Sequence, residues 1–176
     1  MDGIVKLGTS DAHWLSLLAS KTYLSSYENV LTSEEIDTRL KSNYSEEQFL
    51  LDLKDGANSF FGMQQSSVWI GYLHLRQSDS PPNIQDKNVL QLSRIYLETS
   101  LQSKGHGRQL LRFAEDFALK HQYQGLWLHC YDQNLRALRF YHREGYKSLG
   151  LDPFKITSIV RNDVLLIKLF NDSIEN

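Results

Sequence analysis

A glycine-containing segment that follows a predicted strand carries the clearest chemical signal in this sequence. Residues 102–108 read QSKGHGR and lead into a predicted long helix. Glycines allow successive backbone N–H groups to point into one concavity, and a helix N-terminus adds about half a positive charge. This pattern predicts a site for an anion such as a phosphate. A Walker A loop is excluded, because no Gly-Lys-Ser/Thr follows four residues after a glycine.

The same glycines leave two other interpretations open. Gly105-x-Gly107 is similar to part of a dinucleotide-binding loop, and Asp132 ends the next predicted strand, where a ribose-binding carboxylate would lie. However, Leu110 takes the place of the third glycine, and the loop comes more than halfway along the chain. Both observations disfavour a dinucleotide site. The glycines could also form an ordinary tight turn.

Hydrophobic periodicity predicts alternating strands and helices around this segment. The predicted elements, in chain order, are a strand at Ile4–Leu7, a helix through Leu15–Thr22, helices at Glu34–Lys41 and Ser45–Asp55, a hairpin of Phe60–Met63 and Val68–Leu75, a strand at Val89–Leu97, a helix through Leu110–Ala118, a strand at Gly125–Cys130, a helix at Asn134–Glu144, and closing strands at Tyr146–Leu149 and Val164–Phe170. This order predicts one α/β (α+β) domain over residues 1–176, with helices on the faces of a mixed sheet.

Composition and charge restrict the class of protein. The chain has 176 residues, 41% hydrophobic and 23% charged, which is typical of a soluble globular domain. Its formal charge of -2 gives no basic excess for binding nucleic acid or an anionic membrane. No apolar run approaches the roughly 18 residues that a membrane span requires. The single cysteine, Cys130, indicates a reducing, cytoplasmic setting and disfavours structural zinc.

Charges of opposite sign are separated along the sequence. Carboxylates dominate residues 31–60, which include the two predicted helices that we call the acidic flap, whereas cationic side chains gather after residue 103. The carboxylates are Glu34, Glu35, Asp37, Glu46, Glu47, Asp52 and Asp55, and the later cations include Lys104, Arg108, Arg112, Arg136, Arg139 and Arg143. We therefore expect a cation to bind early in the chain and an anion to bind late.

Two blocks of sequence resemble the GNAT acyltransferase superfamily. Leu92–Leu97, together with the loop at residues 102–108, is similar to the superfamily's acetyl-CoA signature, Gln/Arg-x-x-Gly-x-Gly/Ala. Asn134–Tyr146 is similar to its Asn-x-x-Ala-x-x-Phe-Tyr-x-x-x-Gly-Phe/Tyr helix, at the expected distance downstream. The segment from Thr22 to Gln48 resembles PaiA-type polyamine acetyltransferases. The resemblance extends over most of the chain.

The resemblance implies a fold and a co-substrate. It implies a GNAT-like, mostly antiparallel sheet of about seven strands, with helices on both faces. The fourth and fifth strands, here ending at Leu97 and Cys130, would splay apart to admit the pantetheine arm of acetyl-CoA, and no metal is implied. Asn134 is equally well placed to cap its helix. The residues that the resemblance assigns to the cofactor are Ile95, Tyr96, Leu97, Gln102, Ser103, Lys104, Gly105, His106, Gly107, Arg108, Asn134 and Arg143.

The resemblance also implies catalytic roles. Tyr141 matches the family's general acid, which protonates the departing CoA thiolate. Many relatives carry a glutamate in the fourth strand where this chain has Ser93, so the general base is not assigned. The candidate bases are His74, Glu98, His129 and Asp132. A backbone N–H near Leu97 is expected to stabilise the oxyanion, and Cys130 is expected to be a buried hydrophobic residue rather than a nucleophile.

The sequence therefore predicts an N-acetyltransferase that transfers acetyl from acetyl-CoA to a primary amine by direct attack through a tetrahedral intermediate. A polyamine is the favoured acceptor, because the acidic flap supplies anionic surface. Two alternatives stay open: a non-catalytic acyl-CoA-binding module, motivated by the missing glutamate, and a nucleotide-dependent oxidoreductase. We expect a small-molecule amine as the partner, with neither nucleic acid nor a membrane, and a homodimer is left open.

Overall fold

The computed structural model describes residues 3–81, 84–98, 101 and 105–170. Within these ranges the chain forms seven β-strands and five α-helices. In chain order they are β1 (Gly3–Lys6), α1 (Ala12–Tyr27), α2 (Ser33–Asn43), α3 (Glu46–Lys54), β2 (Asn58–Gln65), β3 (Val68–Arg76), β4 (Val89–Leu97), α4 (His106–Lys120), β5 (Gly125–Tyr131), α5 (Leu135–Arg143), β6 (Lys147–Ile156) and β7 (Ile159–Leu169). No helix in the described ranges is long and apolar enough to cross a membrane.

The strands form one sheet in the order β1-β2-β3-β4-β5-β7-β6. Every neighbouring pair is antiparallel except β4 and β5, which run parallel. The parallel pair needs a crossover connection, which α4 supplies by packing on one face of the sheet. The predicted mixed, mostly antiparallel sheet of the GNAT fold is confirmed.

The parallel strands β4 and β5 separate soon after they begin. Their pairing covers only Val89–Gln91 on β4 and Gly125–Trp127 on β5, although both strands continue further. We call the space between their later residues the gap. The predicted splay between the fourth and fifth strands is confirmed, and it leaves one edge of β4 without a strand beside it.

Hydrophobic side chains cover both faces of the sheet. On the α4 face, the apolar side of α4, from Leu110 to Ala118, packs against β3, β4 and β5. On the α1 face, helices α1, α2 and α3 pack through residues such as Leu15 and Phe49. The faces differ in polarity, because tyrosines contribute a large part of the core on the α1 face.

A β-bulge in β4 changes which side chains face each core. The β3–β4 register moves from His74↔Arg94 to Leu75↔Leu92, which leaves Ser93 as the extra residue. The bulge therefore lies at Ser93, four residues before Leu97.

The closing strands are longer than the sequence predicted. Instead of Tyr146–Leu149 and Val164–Phe170, the chain forms a long hairpin of β6 and β7 that turns at Thr157, where φ is 57°. Charged residues and Pro153 give this segment weak β-propensity. Its strands are held by backbone pairing from Lys147↔Ile167 to Ile156↔Ile159, which single-sequence patterns do not reveal.

Candidate active site

A cavity of about 750 Å³ opens at the gap. Its walls come from α1, β4, the beginning of α4, and α5. The lining residues are Ser25, Ser26, Ile95, Tyr96, Leu97, Gly105, Gly107, Arg108, Asn134, Arg136, Ala137, Arg139, Phe140, Tyr141, Arg143 and Glu144. Both sequence blocks that predicted a cofactor site therefore contribute to the same cavity.

The edge of β4 forms one wall of this cavity. The N–H of Glu98 points to β3 and donates to the carbonyl oxygen of Ile70 at 2.9 Å. Because peptide groups alternate in direction along a strand, the main-chain polar groups of Ile95 and Leu97 are directed toward the gap. These groups are suitable partners for the amides of an extended ligand that lies in the gap like another strand.

The beginning of α4 forms another part of the cavity wall. Gly105 has a φ of 88°, in the left-handed region, and the helix begins at the next residue. A Cβ at Gly107 would lie 3.5 Å from Leu97 and 3.9 Å from Phe140, which are ordinary contact distances, so the fold could accommodate a side chain there. This Cβ would, however, become part of the cavity wall. His106 is the first helical residue and is not among the lining residues. The predicted Gln102, Ser103 and Lys104 lie outside the described residues.

Four arginines border the cavity and form what we call the arginine rim: Arg108, Arg136, Arg139 and Arg143. Arg108 donates from Nε to Oε2 of Glu144 at 2.9 Å, and Arg143 Nε lies 4.0 Å from the other carboxylate oxygen. Glu144 is only 10% exposed, so it holds Arg108 in place while the rim stays net positive. The charge and the open β4 edge together fit a long, polyanionic ligand such as acetyl-CoA.

Tyr141 and Asn134 lie on the α5 wall of the cavity. Burial raises the pKa of Tyr141 well above 10, and the nearby Cys130 thiol and Tyr27 hydroxyl add to this effect. The Tyr141 side chain is therefore neutral and can act as a proton donor. Asn134 accepts a hydrogen bond from the N–H of Ala137 at 3.1 Å, which confirms its role as a helix cap. Its predicted contact with the cofactor remains a prediction.

The four predicted candidate bases lie outside the cavity lining. His74 is buried, stacks on Phe60 at 4.0 Å between ring centroids, and bonds to Asn58 at 2.8 Å. Burial lowers the pKa of His74 well below its usual value, so it is a neutral structural residue.

The other candidates have partners or point elsewhere. Glu98 pairs with Lys21 at 2.8 Å, and His129 pairs with Asp152 at 2.9 Å. Asp132 lies just beyond the end of β5, where its N–H donates to Asn162. These positions give no support to any of the three as the group that deprotonates the amine.

One carboxylate of the acidic flap is not available to attract a cation. Glu35 is fully buried, accepts two hydrogen bonds from Arg161 at 2.8 and 2.9 Å, and receives the N–H of Thr32 at 2.8 Å. These contacts lower its pKa to about 2. The expectation that Glu35 supplies anionic surface is therefore wrong: the side chain fastens α2 to β7. Glu34 and Asp37 do remain exposed.

Cys130 is buried on the α4 face, as expected for a small hydrophobic residue. Burial, followed by the negative charge of Asp163, raises its pKa to about 12. The side chain therefore remains a thiol at neutral pH, and the thiol form is a poor nucleophile.

Several lining residues were missed by the sequence reasoning. Ser25 and Ser26 come from the last turn of α1, far from both motif blocks, and no local pattern marks them. Arg136 and Arg139 belong to the second motif block, and their spacing of three residues on a helix could have placed them beside Arg143.

The geometry agrees with what is known of similar proteins. The model of the acetyltransferase (GNAT) family matches residues 23–146, more than half of the chain, so the protein belongs to this family. It is an acyltransferase that uses acetyl-CoA, which excludes the non-catalytic module and the oxidoreductase as descriptions of the chain.

Individual relatives extend the likeness along most of the chain. An uncharacterized N-acetyltransferase of Lactobacillus delbrueckii subsp. lactis is 26% identical and covers 94% of this chain and 95% of its own length. Spermidine N(1)-acetyltransferase of Thermoplasma acidophilum is 26% identical over 82% of this chain and 87% of its own. The crystal structure of PaiA N-acetyltransferase from T. acidophilum in complex with coenzyme A superposes with a TM-score of 0.78, at 23% identity, over 97% and 99% of the two chains.

Proposed function

We propose that this protein transfers acetyl from acetyl-CoA to a primary amine by direct attack in the gap between β4 and β5. The observation that carries this proposal is the single cavity shared by the β4 edge, the beginning of α4, the arginine rim and Tyr141. The main chain at Ile95–Leu97 would pair with the pantetheine amides. The N-terminus of α4 and the arginine rim would hold the phosphates.

Tyr141 is proposed to assist departure of the thiolate. A thiol of pKa about 8.5 leaves as a thiolate, and a neutral tyrosine beside it can donate a hydrogen bond or a proton. Because burial makes Tyr141 a weaker acid than an exposed tyrosine, full proton transfer occurs only as negative charge develops on sulfur. The main-chain N–H groups directed into the gap are the proposed donors to the oxyanion.

A polyamine is the proposed acceptor. The spermidine acetyltransferase relative supports this choice, and Glu34 and Asp37 keep exposed negative charge on α2. Cys130, a buried free thiol, supports the proposed cytoplasmic location, where thiols stay reduced.

A panel of acceptors tests the proposed function. Thiol release from acetyl-CoA would be followed with spermidine, an uncharged-chain amine such as butylamine, an amino acid, and no acceptor. We expect turnover to depend on the amine and to have the highest kcat/KM for spermidine. A preference for the amino acid would reject the polyamine, and no turnover with any amine would contradict amine acetylation.

A further inference from the structure

Asp163 is a carboxylate on the α1 face of the sheet, close to the gap. It lies on β7 directly opposite Tyr131 of β5 and Asp152 of β6. Residues opposite one another on antiparallel strands project to the same face. The Tyr131 ring, on this face, lies 6.2 Å from the ring of Tyr27 at the end of α1. The two residues before Tyr27 line the cavity, so Tyr131 and Tyr27 connect Asp163 to the cavity wall, although Asp163 itself is not a lining residue.

Asp163 differs from nearby carboxylates because no residue in the described ranges pairs with it. Within the described ranges its carboxylate makes no ion pair or side-chain hydrogen bond, whereas Asp152 is paired with His129 and Glu35 with Arg161. Asp163 is also half-buried. A half-buried carboxylate without a charged partner is a suitable binding partner for an ammonium group.

Some charged groups around Asp163 raise its pKa and others lower it. Burial is the largest effect and raises the pKa, and the negative charges of Asp152 and Asp132 raise it further. The positive charges of His129 and Arg39 oppose this effect but are weaker than burial. The result is a pKa of about 6, so Asp163 is ionised at neutral pH but binds a proton more readily than an ordinary aspartate does.

Asp163 is also close to the residues around the proposed reaction centre. Its negative charge raises the pKa values of both Tyr27 and Cys130. These same two groups raise the pKa of Tyr141, which lines the cavity. Asp163 and Tyr141 therefore have Tyr27 and Cys130 as common neighbours.

We propose that Asp163 binds the acceptor's ammonium group on the α1 face and is the general base of the reaction. This role rests on the proposed function and supplies the group that Ser93 cannot provide. Asp163 takes one proton from the ammonium group, and the neutral amine then attacks the thioester carbon. The C–S bond breaks, the thiolate receives a proton from Tyr141, and the second amine proton returns to Tyr141. Asp163 finally releases its proton to water.

The pH dependence of Asp163→Asn tests this role. With spermidine as acceptor, wild-type kcat/KM is expected to fall as the pH decreases through about 6, because Asp163 must be ionised. The variant can use only amine that is already neutral. Its kcat/KM is therefore expected to be about 100-fold lower at neutral pH and to keep rising toward the amine pKa of about 10.

Asp152→Asn is the matched control. Asp152 is the carboxylate directly opposite Asp163 in the register and on the same face, but it is exposed and paired with His129. This variant is expected to keep an inflection, displaced to a slightly lower pH, because the Asp152 charge raises the pKa of Asp163 but burial is the larger cause. If it abolished the inflection near pH 6 as fully as Asp163→Asn, the effect would be one of general charge, and the assignment of Asp163 would be overturned.

A second acceptor separates proton transfer from folding. Trifluoroethylamine is mostly neutral at pH 7 and needs no base, so the defect of Asp163→Asn is expected to shrink to within a few-fold. An equal defect with both amines would mean a structural role and would overturn the proposal. If Asp163→Asn fails to fold, Asp163→Glu, which keeps the carboxylate, is expected to retain turnover and an inflection in the same pH range; a flat profile would overturn the base role.

These results can be told apart from failure of the proposed function. If the wild-type enzyme acetylates spermidine and Asp163→Asn has the same pH profile as wild type, only the base role is wrong. If the wild-type enzyme acetylates no amine at any pH, amine acetylation itself is wrong, and the base role is rejected with it.

Discussion

The two sides of the gap differ in how far apart in the sequence their residues lie. The cavity draws mainly on two local segments, Gly105–Arg108 at the beginning of α4 and Asn134–Glu144 along α5, together with residues of β4 and α1. On the α1 face, Tyr27, Tyr131 and Asp163 come from three distant parts of the chain. The proposed cofactor site therefore depends mostly on local motifs, whereas the proposed acceptor site depends on the assembled tertiary structure.

The two faces also differ in their electrostatics. The α4 face presents the arginine rim, whose charges are open to the cavity and suit a polyanion. The α1 face buries its charges among aromatic rings: the Arg94 guanidinium lies 4.8 Å from the centre of the Tyr44 ring and 5.5 Å from that of Phe49. The α4 face is therefore expected to bind its ligand by charge, and the α1 face by shape together with a few placed polar groups.

The largest expected effect is the loss of stability when the ion pair between Glu35 of α2 and Arg161 of β7 is broken. Glu35→Gln leaves Arg161 without its carboxylate and should lower the free energy of unfolding by about 3 kcal/mol. Urea denaturation at neutral pH measures this loss. Glu34→Gln, at the exposed neighbouring position, is the control and should change stability by less than about 0.5 kcal/mol. Equal losses in the two variants would contradict the importance of the buried pair.

The same pair predicts a dependence of stability on pH. The pKa of Glu35 is about 2 in the folded protein and near 4.5 when unperturbed, so its contribution is fully present above about pH 4.5. It is lost as the pH falls from there toward 2. The difference in the free energy of unfolding between wild type and Glu35→Gln should therefore become smaller as the pH is lowered. A difference that stayed constant would argue against a stabilising contribution from the ionised Glu35 carboxylate.

The next largest effect is expected in the chemical step. Tyr141→Phe removes the hydroxyl that assists the departing thiolate, so kcat should fall about 100-fold. The dissociation constant for acetyl-CoA should stay within a few-fold, because little cofactor contact is lost. Tyr146→Phe is the control, since its ring lies 5.6 Å from that of Tyr141 but its side chain is not among the cavity residues. Similar losses of kcat in both variants would point to packing rather than proton donation.

A smaller effect separates cofactor binding from folding on the α4 face. Gly107→Ala places a methyl group in the cavity wall and should weaken acetyl-CoA binding about tenfold, which is about 1.4 kcal/mol. It should not destabilise the protein, because the neighbouring atoms leave room and alanine favours a helix. Gly105→Ala should instead lower stability, since its φ of 88° disfavours a side chain. Isothermal titration and thermal unfolding distinguish the two outcomes, and unchanged affinity in Gly107→Ala would contradict the proposed cofactor position.

The smallest effect tests whether exposed charge on α2 attracts the acceptor. Glu34→Gln combined with Asp37→Asn should raise the KM for spermidine about twofold at low ionic strength and have little effect at high salt, since screening acts over about 8 Å at physiological ionic strength. The KM for acetyl-CoA should not change. Steady-state kinetics at two salt concentrations would reject long-range attraction if the spermidine KM were independent of both salt and these substitutions.

Much of the fold and of the cofactor cavity could be predicted because the required signals are local. β4 was predicted with the bounds that it has, Val89–Leu97, and the splay was implied by the family resemblance. The β6–β7 hairpin was underestimated, because its pairing compensates for the weak strand propensity of its residues.

The α1 face could not be predicted for a physical reason. The sequence places Glu35 in an acidic, surface-like helix, and only the approach of Arg161 from β7 makes it a buried anchor. Asp163 is one aspartate among many in the sequence. Its partial burial and its position opposite Tyr131 exist only after β5 and β7 pair.

The central claim is that acetyl passes directly from acetyl-CoA to an amine in the gap, and initial-rate kinetics test it most directly. Rates would be measured while acetyl-CoA and spermidine are varied together, and the protein mass would be determined after incubation with acetyl-CoA alone. Direct transfer requires both substrates to be bound at once, so double-reciprocal plots should intersect and the mass should not change. Parallel lines, together with a stable acetyl group on Cys130, would contradict the account.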